Sequence, residues 1–123
     1  MREILFRGKR LDNGEWVTGK MYRIARDLNP FIMLEDKHGC SYEVDEETVG
    51  QYTGLKDKHG KNGKRIFEGD ILSFRAGRTH VVRFEDGAFI LEDSAIPIPF
   101  AIKSEIIGNV HDNPELLKEE AQQ

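Results

Sequence analysis

The apolar residues of this 123-residue chain come in short runs of alternating parity, and turn-forming residues interrupt them at intervals of roughly 8–12 residues. That rhythm constrains the fold more than any other feature. A two-residue period places successive side chains on opposite faces of an extended backbone, whereas a helix needs a period of about 3.6 sustained over three turns. Ile4 and Phe6 alternate with Leu5 and Arg7, and Asp12-Asn13-Gly14 then supplies a hairpin-type turn. From Trp16 to Tyr22, Trp16, Thr18 and Tyr22 share one face while Val17 and Met21 share the other. Asn29-Pro30 breaks the chain, since the residue before proline is pushed out of the helical region. Phe31 to Leu34 reads as a buried strand, Asp36-Lys37-His38-Gly39 as a turn, and Cys40 to Val44 as the next strand.

The second half repeats the pattern. Leu72 and Phe74 share a face, Ala76-Gly77-Arg78 turns the chain, and Val82 and Phe84 alternate with Val81 and Arg83. Glu85-Asp86-Gly87 is an Asp-Gly hairpin signal leading into Phe89-Ile90-Leu91. Ile96, Ile98, Phe100 and Ile102 hold one parity, with Pro97 and Pro99 on the other, so an edge or bulged strand is expected there. One helix signal stands out: Asn113 as N-cap, Pro114 at the first helical position and Glu115 complementing the dipole, with Leu116 and Leu117 to dock it. Short strands with almost no helix indicate an all-β chain, a small barrel or a sandwich.

Seven Phe, three Tyr and one Trp suffice to seed a core. The formal net charge of −4 excludes a uniformly basic nucleic-acid footprint and leaves room only for a local patch. Cys40 is the single cysteine, so no internal disulfide can form, which fits a reducing cytosol. The absence of any apolar run near the ~20 residues of a bilayer span, and of a signal-peptide pattern at the N-terminus, points to a soluble, cytoplasmic protein with no membrane partner.

The motifs argue against chemistry. His38, His59, His80 and His111 are scattered, and His38 with Cys40 is the only near pair, on an expected turn, so no metal site is assigned. Cys40 lacks the base and oxyanion hole of a nucleophile. Glu68 and Asp70 flank a glycine and suit a turn better than acid–base work. No phosphate-cradling P-loop spacing is present around Gly60-Lys61-Asn62-Gly63-Lys64. No catalytic residue and no cofactor is expected, and an enzymatic reading would need a pocket gathering His80 or His111 with carboxylates.

Charge comes in blocks. Glu43 to Glu47 holds four carboxylates in five positions, and Lys56 to Arg65 holds Lys56, Lys58, Lys61, Lys64 and Arg65 against the single Asp57. The basic block reads first as a solvated loop balancing the acidic one. Its functional alternative is phosphate contact, extended by Arg75, Arg78 and Arg83.

The most specific string is Thr53-Gly54-Leu55-Lys56-Asp57, followed after the glycine-rich loop by Glu68-Gly69-Asp70-Ile71-Leu72. It resembles the hallmark of the YopX-like family of phage and prophage proteins. Phe6-Arg7-Gly8-Lys9-Arg10 with Gly14-Glu15-Trp16-Val17 resembles that family's opening. Ile107-Gly108-Asn109-Val110 with Asn113-Pro114-Glu115-Leu116-Leu117 resembles its ending. The loop 58–65 is a few residues longer than the usual connection. The resemblance implies an SH3-like small β-barrel over residues 53–123 with a short C-terminal helix, and an N-terminal β portion over residues 1–52. It implies no established activity. The expectation is therefore a non-enzymatic accessory protein that binds a host or phage protein or self-assembles, with nucleic-acid binding through Lys56–Arg65 as the alternative.

Overall fold

The computed structural model describes residues 4–25, 30–59, 63–74, 77–92 and 96–117. The chain divides into two compact units, residues 1–52 and 53–123. Both are antiparallel β, as the alternation predicts.

In the first unit, β1 (Phe6–Lys9), β2 (Trp16–Ile24), β3 (Phe31–Glu35), β4 (Ser41–Val44) and the opening residues of β5 (Gly50–Lys56) follow the order β4-β3-β2-β1-β5. The β2–β3 ladder runs from Lys20 opposite Glu35 to Ile24 opposite Phe31. Ile32, Leu34 and Val44 form the buried cluster, packed by Phe6, Val17 and Val49. Each such side chain contributes about 1.5–3 kcal/mol by leaving water. Two glycines are sterically required. A Cβ on Gly19 would land in the Glu35 carbonyl, and one on Gly8 would sit 3.2 Å from both Val44 and Val49.

The acidic block is a capped turn. Asp45 accepts from the Glu47 amide at 3.1 Å and opens a 3-10 helix at Glu46–Thr48. Thr48 Oγ1 donates to the Asp45 carbonyl (2.6 Å) and accepts from the Lys9 amide (2.8 Å), tying the turn to β1. The expected break at Asn29 lies outside the described residues.

In the second unit, the remainder of β5 pairs with β6 (Arg65–Phe67). A four-stranded sheet follows, made of β7 (Asp70–Ser73), β8 (Thr79–Glu85), β9 (Ala88–Leu91) and β10 (Glu105–Asn109) in the order β10-β7-β8-β9. Ile66, Leu72, Val82, Leu91 and Ala101 form its core cluster. Ile71 and Val81 are buried as well, so β7 and β8 carry buried residues on both parities, as central strands do. The β8–β9 hairpin closes through Asp86 (φ 51°) and Gly87 (φ 82°), the doubly left-handed pair that a type I′ turn requires.

Two expectations are corrected. The strands do not close into a barrel: among the described residues the second sheet ends at β10 on one side and β9 on the other. The segment expected as an edge strand at Ile96–Ile102 is instead a 3-10 helix, Ile98–Lys103. Pro97 (φ −63°) and Pro99 cannot donate to a ladder but suit a helical start, and the Phe100 amide donates to the Pro97 carbonyl at 3.0 Å. The shared parity therefore does not make a shared face. Ala101 is buried, whereas Phe100 and Ile102 are exposed. Past Asn113, whose Oδ1 accepts from the Asn109 amide and not from the turn that follows, residues 115–117 are helical.

Candidate functional site

The residues of the Thr53–Leu72 string are occupied with holding backbone. Thr53 Oγ1 donates to the Ile66 carbonyl at 2.8 Å and accepts from the Leu55 amide at 3.1 Å, joining β5 to β6. Gly54 takes φ +89° within β5, a conformation that side chains disfavour. Leu55 packs on the core cluster of the second unit. Asp57 is 2% exposed, and its Oδ1 accepts from the amides of His59 (3.2 Å) and Lys64 (3.3 Å). A buried carboxylate thus clasps both ends of the basic loop. The sequence places Asp57 in the Thr53–Asp57 motif but does not show that its carboxylate is buried and bonded to the loop.

Glu68-Gly69-Asp70 turns the chain from β6 to β7. Gly69 has φ +92°, and the buried Asp70 accepts the Phe67 amide with Oδ2 at 2.8 Å. Gly69 also donates to the Val82 carbonyl and accepts from the Val110 amide, stitching the turn to β8 and to the residues after β10. There, Asn109 Oδ1 accepts from the amides of His111 (3.0 Å) and Asp112 (2.9 Å), while Asn113 Oδ1 accepts from the Asn109 amide. Gly108 lies beneath Asn113, with no room for a Cβ.

The basic loop is partly neutralised. Lys58 Nζ and His59 Nε2 both approach Glu105 Oε2, at 3.7 and 3.6 Å. Lys64 and Arg65 are exposed at the start of β6, and Lys56 is half-buried in β5. Lys61 and Arg75 lie outside the described residues. Arg83 pairs with Glu92 at 3.3 Å on the β8–β9 hairpin. Lys58 and Arg83, two of the expected phosphate contacts, thus already hold carboxylates.

His38 and Cys40 lie on the turn between β3 and β4. Asp36 Oδ1 accepts both of their amides, at 2.9 and 3.0 Å, and these backbone bonds, Cys40's foremost, hold the Asp36 carboxyl below the usual carboxylate range. Among the described residues, no three His, Cys, Asp or Glu side chains converge as metal ligands would.

What the structure does assemble is an open cavity of about 690 Å³ in the second unit, lined by Phe74, Arg78, His80, Ile96 and Lys103. Phe74 and Arg78 bracket the β7–β8 turn, where the Phe74 amide donates to the Arg78 carbonyl at 2.9 Å. The His80 ring meets Phe74 edge-on, with centroids 5.7 Å apart. Its Nε2 is buried and has no hydrogen-bond partner among the described residues. Lys103 ends the 3-10 helix and lies 5.4 Å from the Phe100 ring. Among the described residues, His80 is gathered with cations and apolar walls.

The sequence matches the YopX protein family over residues 5–118. The chain belongs to the YopX family. A solved structure, protein EF1440 from Enterococcus faecalis, superposes with a TM-score of 0.59 at 26% identity, covering 95% of this chain and 99% of that one. No curated protein matches. In this YopX chain the signature residues Thr53, Asp57, Gly69, Asp70, Gly108 and Asn109 all shape turns or strand junctions. The cavity residues lie outside the signature.

Phe84 on β8 is 43% exposed and packs edge-on against Phe89 of β9, centroids 4.9 Å apart. Both rings sit at the end of the sheet, where β9 is the last strand. Alternation predicts Phe84 on a strand. It does not predict that the strand beside it ends the sheet.

Proposed function

We propose that this chain is a phage or prophage accessory protein of the bacterial cytoplasm that acts by binding proteins through strand pairing, with no chemistry of its own, and that its first partner is a second copy of itself. The observation that carries this reading is the β8–β9 hairpin. β9 is the outer strand of its sheet, Ala88 at its start is exposed, and the Phe84–Phe89 pair flanks it with apolar surface. A terminal strand offers a row of amides and carbonyls to another strand, and adjacent aromatics supply apolar area to the pairing. Natural proteins that must stay monomeric place lysines on such an edge, whereas Ala88-Phe89-Ile90-Leu91 carries none.

Light scattering over a concentration series tests the reading. The expected mass rises from the 14.1 kDa of one chain toward twice that value, and Ala88→Lys abolishes the rise without lowering the melting temperature. A mass that stays monomeric at the highest concentration reached, or a dimer indifferent to Ala88→Lys, overturns self-pairing through β9.

A further inference from the structure

We infer that the cavity between the β7–β8 turn and the 3-10 helix binds a nucleotide unit, with Arg78, Lys103 and His80 on its phosphate and the apolar wall against its base. The charge distribution is the first ground. The chain has 22 acidic residues against 18 lysines and arginines, yet among the described residues the cavity lining holds two permanent cations, one histidine and no carboxylate. Four other cations are matched: Arg10 with Asp12, Arg23 with Glu46, Lys58 with Glu105, Arg83 with Glu92. Neither Arg78 nor Lys103 has an ion-pair partner among the described residues. Two unmatched cations on one cavity of an acidic chain mark a place where an anion completes the electrostatics.

The second ground is His80. Burying a polar nitrogen without a partner costs free energy that is recovered when an acceptor arrives. A turn of the His80 ring that brings Nε2 out to the cavity lets it donate to a phosphate oxygen, beside the bidentate-capable guanidinium of Arg78 and the point charge of Lys103. The third ground is the wall. Phe74 and Ile96 make the cavity apolar, and Phe100, 46% exposed, lies beside Lys103. Cations alternating with aromatic faces are how proteins hold phosphate and base together, and a few hundred Å³ accommodates one nucleotide. The site is distinct from the Lys56–Arg65 loop and from the β9 edge.

The phosphate and base can come from a free nucleotide or from a single strand, and two probes separate these sources. Thymidine 5′-monophosphate is titrated by calorimetry, and a labelled oligothymidylate of about 12 nucleotides by fluorescence anisotropy. Expected is saturable binding of at least one probe that weakens with salt. For the oligonucleotide, the logarithmic salt slope falls by about 0.7 for each phosphate contact removed. Binding of the monophosphate assigns a free nucleotide; binding of the oligonucleotide alone assigns a strand. Arg78→Ala and Lys103→Ala each weaken binding about tenfold, whereas Lys58→Ala, Lys64→Ala and Arg65→Ala leave it unchanged. Thermal melts of the variants match that of the parent chain. In the unsubstituted protein, the His80 ring nitrogen resonance moves on addition of the probe that binds. Absence of binding to both probes at low salt overturns the inference. So does binding that survives the Arg78→Ala/Lys103→Ala double substitution, or a His80 resonance that stays fixed at saturation.

Discussion

Gly108 and Asn113 are predicted to be energetically coupled, and the coupling follows from three distances. A Cβ added to Gly108 would lie 2.5 Å from Asn113 Oδ1, 2.8 Å from its Cγ and 3.0 Å from its Cβ. Gly108 is not among the positive-φ glycines, so the penalty of Gly108→Ala is steric and not conformational. Asn113 cannot yield freely. Its Oδ1 accepts from the Asn109 amide at 3.2 Å, its own amide donates to the Asn109 carbonyl at 2.8 Å, and its carbonyl accepts from Leu116 at 3.1 Å. Displacing the side chain costs about 1–3 kcal/mol of overpacking and about 1 kcal/mol of lost hydrogen bond, so Gly108→Ala destabilises by about 2–4 kcal/mol. Asn113→Gly alone removes the acceptor at a cost of about 1 kcal/mol, since glycine is itself a tolerated cap. In the Asn113→Gly background all three side-chain atoms are gone or withdrawn. The alanine then fits, and its cost falls below about 1 kcal/mol, leaving an interaction energy of about 2 kcal/mol. Urea denaturation of the four chains, followed by circular dichroism, measures this cycle. Additivity within about 0.5 kcal/mol would show that Gly108 serves some purpose other than making room for Asn113.

Two further outcomes follow from buried or bonded carboxylates. Asp70→Ala, which takes the Oδ2 acceptor from the Phe67 amide, lowers unfolding stability by about 2 kcal/mol, while Asp70→Asn, which keeps an acceptor oxygen, lowers it by less than half as much; equal costs in urea denaturation refute the capping role. Asp36 has its folded-state pKa held below the unfolded value by the Cys40 and His38 amides, so its support of the turn is present above the unfolded pKa and is lost as pH falls through the folded one. The Cys40 and His38 amide resonances should titrate together below about pH 3.9 and stop titrating in Asp36→Asn; a midpoint at or above that value contradicts the assignment.

Turn chemistry was legible because it is local. Asp86-Gly87 and Asn13-Gly14 announce reversals through backbone angles that a few residue types prefer, and Asn113-Pro114 announces a helix start through the fixed φ of proline, while the Asn113 Oδ1 serves the Asn109 amide instead. The cavity was not legible in this way. Its five residues are spread from Phe74 to Lys103, and His80 in sequence is one of four scattered histidines. Two of its neighbours come into place only because Ile98–Lys103 winds into a 3-10 helix, which puts Lys103 beside Phe100 and buries Ala101 instead.

The two-residue period of the apolar pattern was enough by itself to determine an antiparallel β protein, because alternation commits a backbone to two faces whatever it later packs against. The string from Thr53 to Leu72, with its flanking matches, was enough to point to the YopX family. Only the tertiary structure decided that the second sheet stays open at β9 and β10, that β7 and β8 bury both faces, and that Asp57 and Asp70 are buried clasps. Those outcomes depend on which strands become neighbours, and strand pairing is set by contacts between residues far apart in the chain, which no local propensity encodes.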